Sequence, residues 1–270
     1  MRFELHCHST CSDGTESPER VAERASEREV AVFAMTDHDT CTGAKSAGAR
    51  SLRAVELTCF VEGKSIHVLA YDRGGMWSAI EDKLAGMIEA RRNRLRVMAA
   101  KLAQRGIRID VEPLLADTSR RAVGRPDLAR AMVAAGVASS PKDAFSRHLY
   151  DGGPVDVPMR ALTLADALAA GRAANAAMSL AHPHLYEQFG TKLVREHKPD
   201  GLTGLEAFYG VYDLAQRRRW IETADELGVV CTGGSDWHGP EKAGTMNNTG
   251  VEIGVDLPER RSDALLAWLS

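Results

Sequence analysis

The sequence predicts an α/β protein with a mostly parallel sheet, and three observations carry the prediction. Short apolar runs of four to eight residues alternate with longer stretches of helical spacing through most of the chain. Histidines and carboxylates cluster at or just beyond the ends of those runs, the end of an α/β sheet where ligands bind. One stretch, from Tyr71 to about Met159, breaks the alternation with helical patterns alone.

The predicted strands are 3–6, 30–36, 54–61, 66–71, 176–181, 204–208 and 229–232, each an apolar run bounded by polar or turn residues. The third and fourth are close enough to form a hairpin, with Glu62-Gly63-Lys64 at the turn. Ser17-Pro18 is a helix start, with Ser as N-cap, Pro at the first position, and Val21, Ala22 and Ala25 as the buried stripe. Residues 80–104 read as one long helix rich in Arg and Ala, followed by helical pieces at 127–135 and 142–149. Arg91, Arg92, Arg94 and Arg96 spread around the long helix and read as a solvated face. These features divide the chain into a barrel-like core, 1–71 with 160–270, and a helical insertion or cap, 72–159.

With 270 residues, of which 44% are hydrophobic, the chain can bury a large core. Its net charge of -3 argues against a stable complex with long nucleic acid. No run suits a membrane span and the start has no signal-like apolar segment, so a cytoplasmic location is expected. The five cysteines are scattered without paired spacing, which indicates buried free thiols rather than disulfides or a thiolate metal site.

His6-Cys7-His8 closes the first strand, and strand alternation turns both imidazoles to one face. Asp13 follows in Ser12-Asp13-Gly14. Thr36-Asp37-His38-Asp39 closes the second strand, Glu56 and His67 lie within the third and fourth, and Ala181-His182-Pro183-His184 closes the fifth. Ser235-Asp236-Trp237-His238 follows the last. Imidazoles and carboxylates without thiolate suit Mn, Fe or Zn.

In this order the motifs resemble the polymerase and histidinol phosphatase (PHP) superfamily of metal-dependent phosphoesterases, and they span residues 6–238. The resemblance implies a distorted seven-stranded βα barrel that binds three divalent metals. It assigns His6, His8, Glu56 and Asp236 to the first metal, Glu56, His67 and His182 to the second, and Asp13, His38 and His238 to the third. It implies phosphoester hydrolysis by a hydroxide bridging the first two metals. Asp236, His238 and a metal-bound water stay open as proton donor to the leaving group.

Gly124-Arg125-Pro126-Asp127-Leu128-Ala129-Arg130 is similar to the G-R-P-H-x-A-R of stand-alone members that act on adenosine 3′,5′-bisphosphate or short 5′-phosphorylated oligonucleotides. It implies Arg125 as anchor for a second phosphate, because guanidinium can grip phosphate bidentately. Those relatives carry G-K-P-x-Y-V-P and A-H-P-G-R, where this chain has Gly152-Gly153-Pro154-Val155-Asp156-Val157-Pro158 and Ala181-His182-Pro183-His184-Leu185. Two cationic phosphate contacts are thus missing, and Arg160 or His184 is expected to replace one. The leading expectation is a phosphoesterase for a small phosphorylated metabolite, most of all a nucleotide. Histidinol-phosphate phosphatase, a cyclic sugar phosphate phosphodiesterase and a degenerate structural module are the alternatives.

Overall fold

A computed structural model of the protein describes residues 1–116, 121–240 and 252–270. Its strands are β1 (Arg2–Glu4), β2 (Val32–Phe33), β3 (Ala54–Val61), β4 (Lys64–Tyr71), β5 (Ala177–Leu180), β6 (Leu202–Tyr209), β7 (Val230–Gly234) and β8 (Val255–Asp256). The helices are α1 (Pro18–Glu27), α2 (Thr42–Ala47), α3 (Ser78–Gln104), α4 (Glu112–Leu115), α5 (Arg125–Ala134), α6 (Pro141–Ala144), α7 (Leu164–Ala173), α8 (Gln188–His197), α9 (Leu214–Leu227) and α10 (Glu259–Leu269). Among the described residues, no helix is long and apolar enough to cross a membrane.

Strand ladders among the described residues do not run around a single seven-stranded barrel. The ladders form a five-stranded sheet, β3-β4-β5-β6-β7, and a three-stranded sheet, β2-β1-β8, and none among the described residues closes them into one barrel. Short links join the sheets instead. Leu5 donates its N–H to the Gly233 carbonyl at 3.2 Å and Leu52 to that of Phe33 at 2.8 Å. Isolated bridges pair Cys7 with Trp237 and His38 with Glu56. The sheets are also less parallel than expected, since β4 runs antiparallel to both neighbours and β8 antiparallel to β1. Strand β8 has only two residues, too short to show an apolar period.

Local chemistry explains the elements that agree. The β3–β4 hairpin turns on Glu62 at φ 46° and Gly63 at φ 82°, the pair of left-handed residues a two-residue hairpin loop requires. Ser17 caps α1 by accepting the Arg20 N–H at 3.3 Å, and Pro18 fills the first position.

Helix α3 connects two cores. Its buried residues, Ile80, Leu84, Met87, Arg91, Leu95, Met98 and Leu102, recur every three or four positions and form one stripe. Ile80, Leu84 and Met87 join the main core of the strands and α7, whereas Leu95, Met98 and Leu102 join a separate core with Leu128, Met132 and Leu149. Arg91 sits between the two. It is 7% exposed, so the expectation of a wholly solvated arginine cluster is corrected here. Its Nε and Nη2 meet Asp39 Oδ2 at 2.7 and 2.6 Å, Nη2 also donates to Thr58 Oγ1 at 3.0 Å, and Nη1 donates to the Val123 carbonyl at 3.4 Å. A buried guanidinium needs such a set of acceptors to offset its lost hydration. Ala122 donates to the Cys11 carbonyl and Arg121 to that of Thr10, both at 2.9 Å, so residues 121–124 are tied to the loop that carries Asp13.

Candidate metal centre

Strand ends, the interiors of β3 and β4 and the loop carrying Asp13 bring all nine expected ligands together. His6, His8, Glu56, His182, Asp236, His238 and Asp13 are buried, while His38 and His67 are partly exposed. The alternation predicted for His6 and His8 holds: between them Cys7 faces away, packed with Val21, Met35 and Trp237. Close approach of backbones makes this possible, since a Cβ on Gly234 would lie 2.5 Å from the His6 Cβ and one on Gly14 would lie 2.6 Å from the His8 carbonyl oxygen.

Glu56 is the hub. Its Oε1 lies 3.3 Å from His6 Nε2, 3.0 Å from His67 Nδ1 and 3.1 Å from His182 Nε2. Its Oε2 lies 3.3 Å from His8 Nε2 and 2.8 Å from His38 Nδ1. Asp236 Oδ1 lies 3.2 Å from His6 Nε2 and 3.1 Å from His8 Nε2, while its Oδ2 accepts the Tyr209 hydroxyl at 2.7 Å. His238 Nε2 stands 3.2 Å from Asp13 Oδ1.

Among the described residues, four overlapping groups of donor atoms are compact enough to hold an ion: His8, Asp13, His38 and His238; His6, His8 and Asp236; His6, Glu56 and His182; and His38, Glu56 and His67. His6, His8, His38 and Glu56 each belong to two groups, so the partition implied by the family resemblance is blurred by sharing.

The donor chemistry fits divalent cations. His238 Nδ1 donates to the Asp236 carbonyl at 2.8 Å, which leaves a lone pair on Nε2. The Ser12 hydroxyl proton goes to Asp37 Oδ1 at 2.6 Å, so Ser12 Oγ accepts from His8 Nδ1 at 3.4 Å and His8 Nε2 also keeps its lone pair. Buried without a hydrogen bond are His6 Nε2, His8 Nε2, His38 Nδ1, His238 Nε2 and Glu56 Oε2. Lone pairs and carboxylate oxygens converging in a dry site repel one another unless a cation lies among them.

The electrostatics agree. Burial would raise the Glu56 carboxyl, yet the imidazoles of His38, His67 and His6 hold it well below the usual carboxylate range. Asp236 is likewise lowered, by His6 and His238 against burial. Burial opposes charge on His6 and His38, but for His6 the carboxylates of Glu206, Asp236 and Glu56, and for His38 that of Glu56, raise them. Burial and the neighbouring His238 push His8 down to about 3.

Sequence reasoning passed over several supporting groups. Glu4 and Glu206, both wholly buried, stand in apolar strands where a lone carboxylate is itself a signal. Glu4 accepts from the N–H groups of His6, Ser235 and Gly254 and from the Ser235 hydroxyl, and burial pushes its carboxyl up to about 7. Asp37 accepts from the Ser9 N–H and the hydroxyls of Ser9 and Ser12. Asp37 and Asp39 are thus buried anchors of the ligand loops.

Of the expected substrate contacts, His184 adjoins a member of the cluster, whereas Arg125 and Arg160 engage other residues. Arg125 opens α5, where its guanidinium pairs with Asp151 and lies 5.8 Å from the centre of the Phe145 ring. Arg160 is exposed above Phe60, 5.1 Å from the ring centre. His184 is half-buried, 6.4 Å from His182 between ring centres, and its Nδ1 meets the Tyr212 hydroxyl at 2.9 Å.

Such a centre on this α/β framework fits metal-assisted hydrolysis, and comparison with known proteins gives phosphoric esters as the class it acts on. Residues 4–88 match the PHP domain. The chain is 30% identical over 255 residues to a 3′,5′-nucleoside bisphosphate phosphatase of Chromobacterium violaceum, with 90% of this chain and 89% of that protein covered. It is 32% identical over 254 residues to a 5′-3′ exoribonuclease of Haemophilus influenzae, covering 88% of this chain and 90% of that one. A solved Bifidobacterium adolescentis structure, provisionally described as a metal-dependent phosphoesterase, superposes with a TM-score of 0.81 at 29% identity, over 98% of this chain and 96% of that one. The chain belongs to the PHP family and is a metal-dependent phosphoric ester hydrolase.

Proposed function

We propose that the protein hydrolyses a small phosphorylated nucleotide, such as a nucleoside 3′,5′-bisphosphate or the end of a short oligonucleotide. The convergence of five imidazoles on Glu56, beside Asp236 and the Asp13–His238 pair, carries the metal-assisted part of this reading. The two full-length relatives named above support the nucleotide part.

In this reading three divalent ions, Mn, Fe or Zn, are held by His6, His8, Asp13, His38, Glu56, His67, His182, Asp236 and His238. Such ions, when bound, activate water and neutralise charge on phosphoryl oxygens. The short links between the two sheets support a distorted barrel, and the separate core around α5 supports residues 72–159 as a cap. Free thiols at all five cysteines fit a cytoplasmic enzyme.

The chain's own groups then have these tasks. Asp236, oriented by the Tyr209 hydroxyl, and His238 stand at the reacting phosphate. Tyr212 accepts the His184 N–H at 3.3 Å and donates its proton to His184 Nδ1, so Nε2 of the neutral ring is left to donate to a substrate oxygen. Arg125 exchanges the exposed Asp151 carboxylate for a second phosphate, and Arg160 offers a further cation.

The test is phosphate release with added Mn from adenosine 3′,5′-bisphosphate, short oligonucleotides, histidinol phosphate and cyclic sugar phosphates. A nucleotide is expected to exceed the others in kcat/KM by about tenfold or more, corresponding to about 1.4 kcal/mol of discrimination. No release from any of them, with fewer than two ions bound per chain, would overturn the enzyme reading. Arg125→Ala should raise KM about tenfold for a bisphosphate and leave a monophosphate unchanged, the scale of one charged hydrogen bond. An equal effect on both substrates would remove Arg125 from the second phosphate.

A further inference from the structure

We infer that Glu206, a residue outside the ligand set, is a positioning residue that selects the metal-competent tautomer of His6 and holds the backbone of His182. The inference rests on the metal reading proposed above. Glu206 lies in the middle of β6 with no solvent exposure, and its two oxygens have different duties. Oε1 lies 2.9 Å from His6 Nδ1, and Oε2 accepts the His182 N–H at 2.6 Å.

A carboxylate has no proton to give, so His6 Nδ1 must be the donor and the ring is held with hydrogen on that nitrogen. The other nitrogen, Nε2, is buried without a hydrogen bond and faces Glu56 Oε1 and Asp236 Oδ1 at 3.3 and 3.2 Å. Only with the proton on Nδ1 can Nε2 offer a lone pair to an ion between those oxygens. The second duty concerns strain. His182 has φ 27°, a backbone conformation that side-chain-bearing residues rarely adopt, and its N–H ends on Glu206. One carboxylate thus sets ligands from two different strand ends, β1 and β5.

The isosteric change Glu206→Gln separates this role from simple packing. Glutamine has one oxygen where two acceptors are needed. The His182 backbone must donate and cannot change, so the oxygen turns to it and the amide NH2 faces His6 Nδ1. That nitrogen must then accept, and the proton moves to Nε2, where it points at the ion position.

The measurement is zinc binding by equilibrium dialysis, with nitrogen-proton correlation spectra of the histidine rings in zinc-loaded protein. In the parent protein the His6 ring should carry its proton on Nδ1. In Glu206→Gln the ions contacted by His6 should bind about 10–100-fold more weakly, while the ion held by Asp13, His38 and His238 keeps its affinity. Unchanged zinc affinity in a folded Glu206→Gln protein would overturn the inference and leave the metal reading standing. So would a parent spectrum with His6 Nδ1 unprotonated, a result that does not depend on the variant folding. A parent protein that binds no zinc or manganese overturns both.

Discussion

Glu56→Gln is expected to reduce turnover by about a thousandfold or more and to lower the number of ions bound per chain. Five imidazole nitrogens lie within 3.3 Å of the Glu56 oxygens, drawn from the segment after β1, the loop after β2, β4 and the loop after β5. In the proposed centre Glu56 bridges two ions, and removing its charge leaves both underbalanced in a site with little water to compensate. Loss of a single electrostatic group at a transition state already costs about 10²–10³-fold. Glutamine also brings an NH2 group against imidazole lone pairs, so restoring the volume does not restore the site. Steady-state turnover with metal analysis of the purified variant checks this. Turnover within tenfold of the parent, with the full number of ions, would show that Glu56 is not the bridge.

Metal removal is expected to have the second largest effect, and its dependence on pH follows from the shifted groups. In the metal-free protein the raised His6 and His38 contribute stability that is present below about pH 6.5 and lost as pH rises through their folded values. The depressed Glu56 and Asp236 contribute stability present above about pH 4 and lost as pH falls through their folded values. His8, held down at about 3 by burial and His238, works the other way below pH 6.5, so the expected signature lies on the alkaline side: the Tm of the stripped protein should fall from about pH 6.5 toward pH 9.

Loaded protein should behave in the opposite way on the alkaline side, because the ligating histidines must be neutral and binding releases protons. Each ion at a hundred times its dissociation constant adds about 2.7 kcal/mol. For a chain of this size that amounts to about 5–10 °C in Tm. Melting curves from pH 5 to 9, with Mn and after chelation, check it. A stripped protein whose Tm is flat or rises between pH 6.5 and 9 would show that the His6 and His38 imidazoles are not charged by these carboxylates.

Much of the fold and of the candidate site was legible because both are written in short-range patterns. Strand β3 matches its apolar run, and the helix expected at 80–104 is α3 at Ser78–Gln104. Period-two and period-3.6 patterns need no knowledge of distant residues. The ligands were legible for a related reason: His6 and His8, His38, His182, Asp236 and His238 stand at strand ends within short motifs. Arg91 had a readable signal that went unused, since it continues the stripe of Met87 and Leu95 on α3.

The amino-acid sequence by itself determined the α/β class and the imidazole and carboxylate chemistry of the candidate centre. Only the tertiary structure decided how the strands pair in two sheets, how His8 and His38 are shared among ion-sized groups, and which carboxylates orient the ligands. Glu206 and His6 are 200 positions apart, and Glu4 and Ser235 are 231 apart. Nothing in the local pattern of either partner specifies the other. Periodicity tells a residue which face of its own element it occupies. The partner across that face is chosen by chain closure, which brings buried donors and acceptors together because neither can stay unpaired away from water.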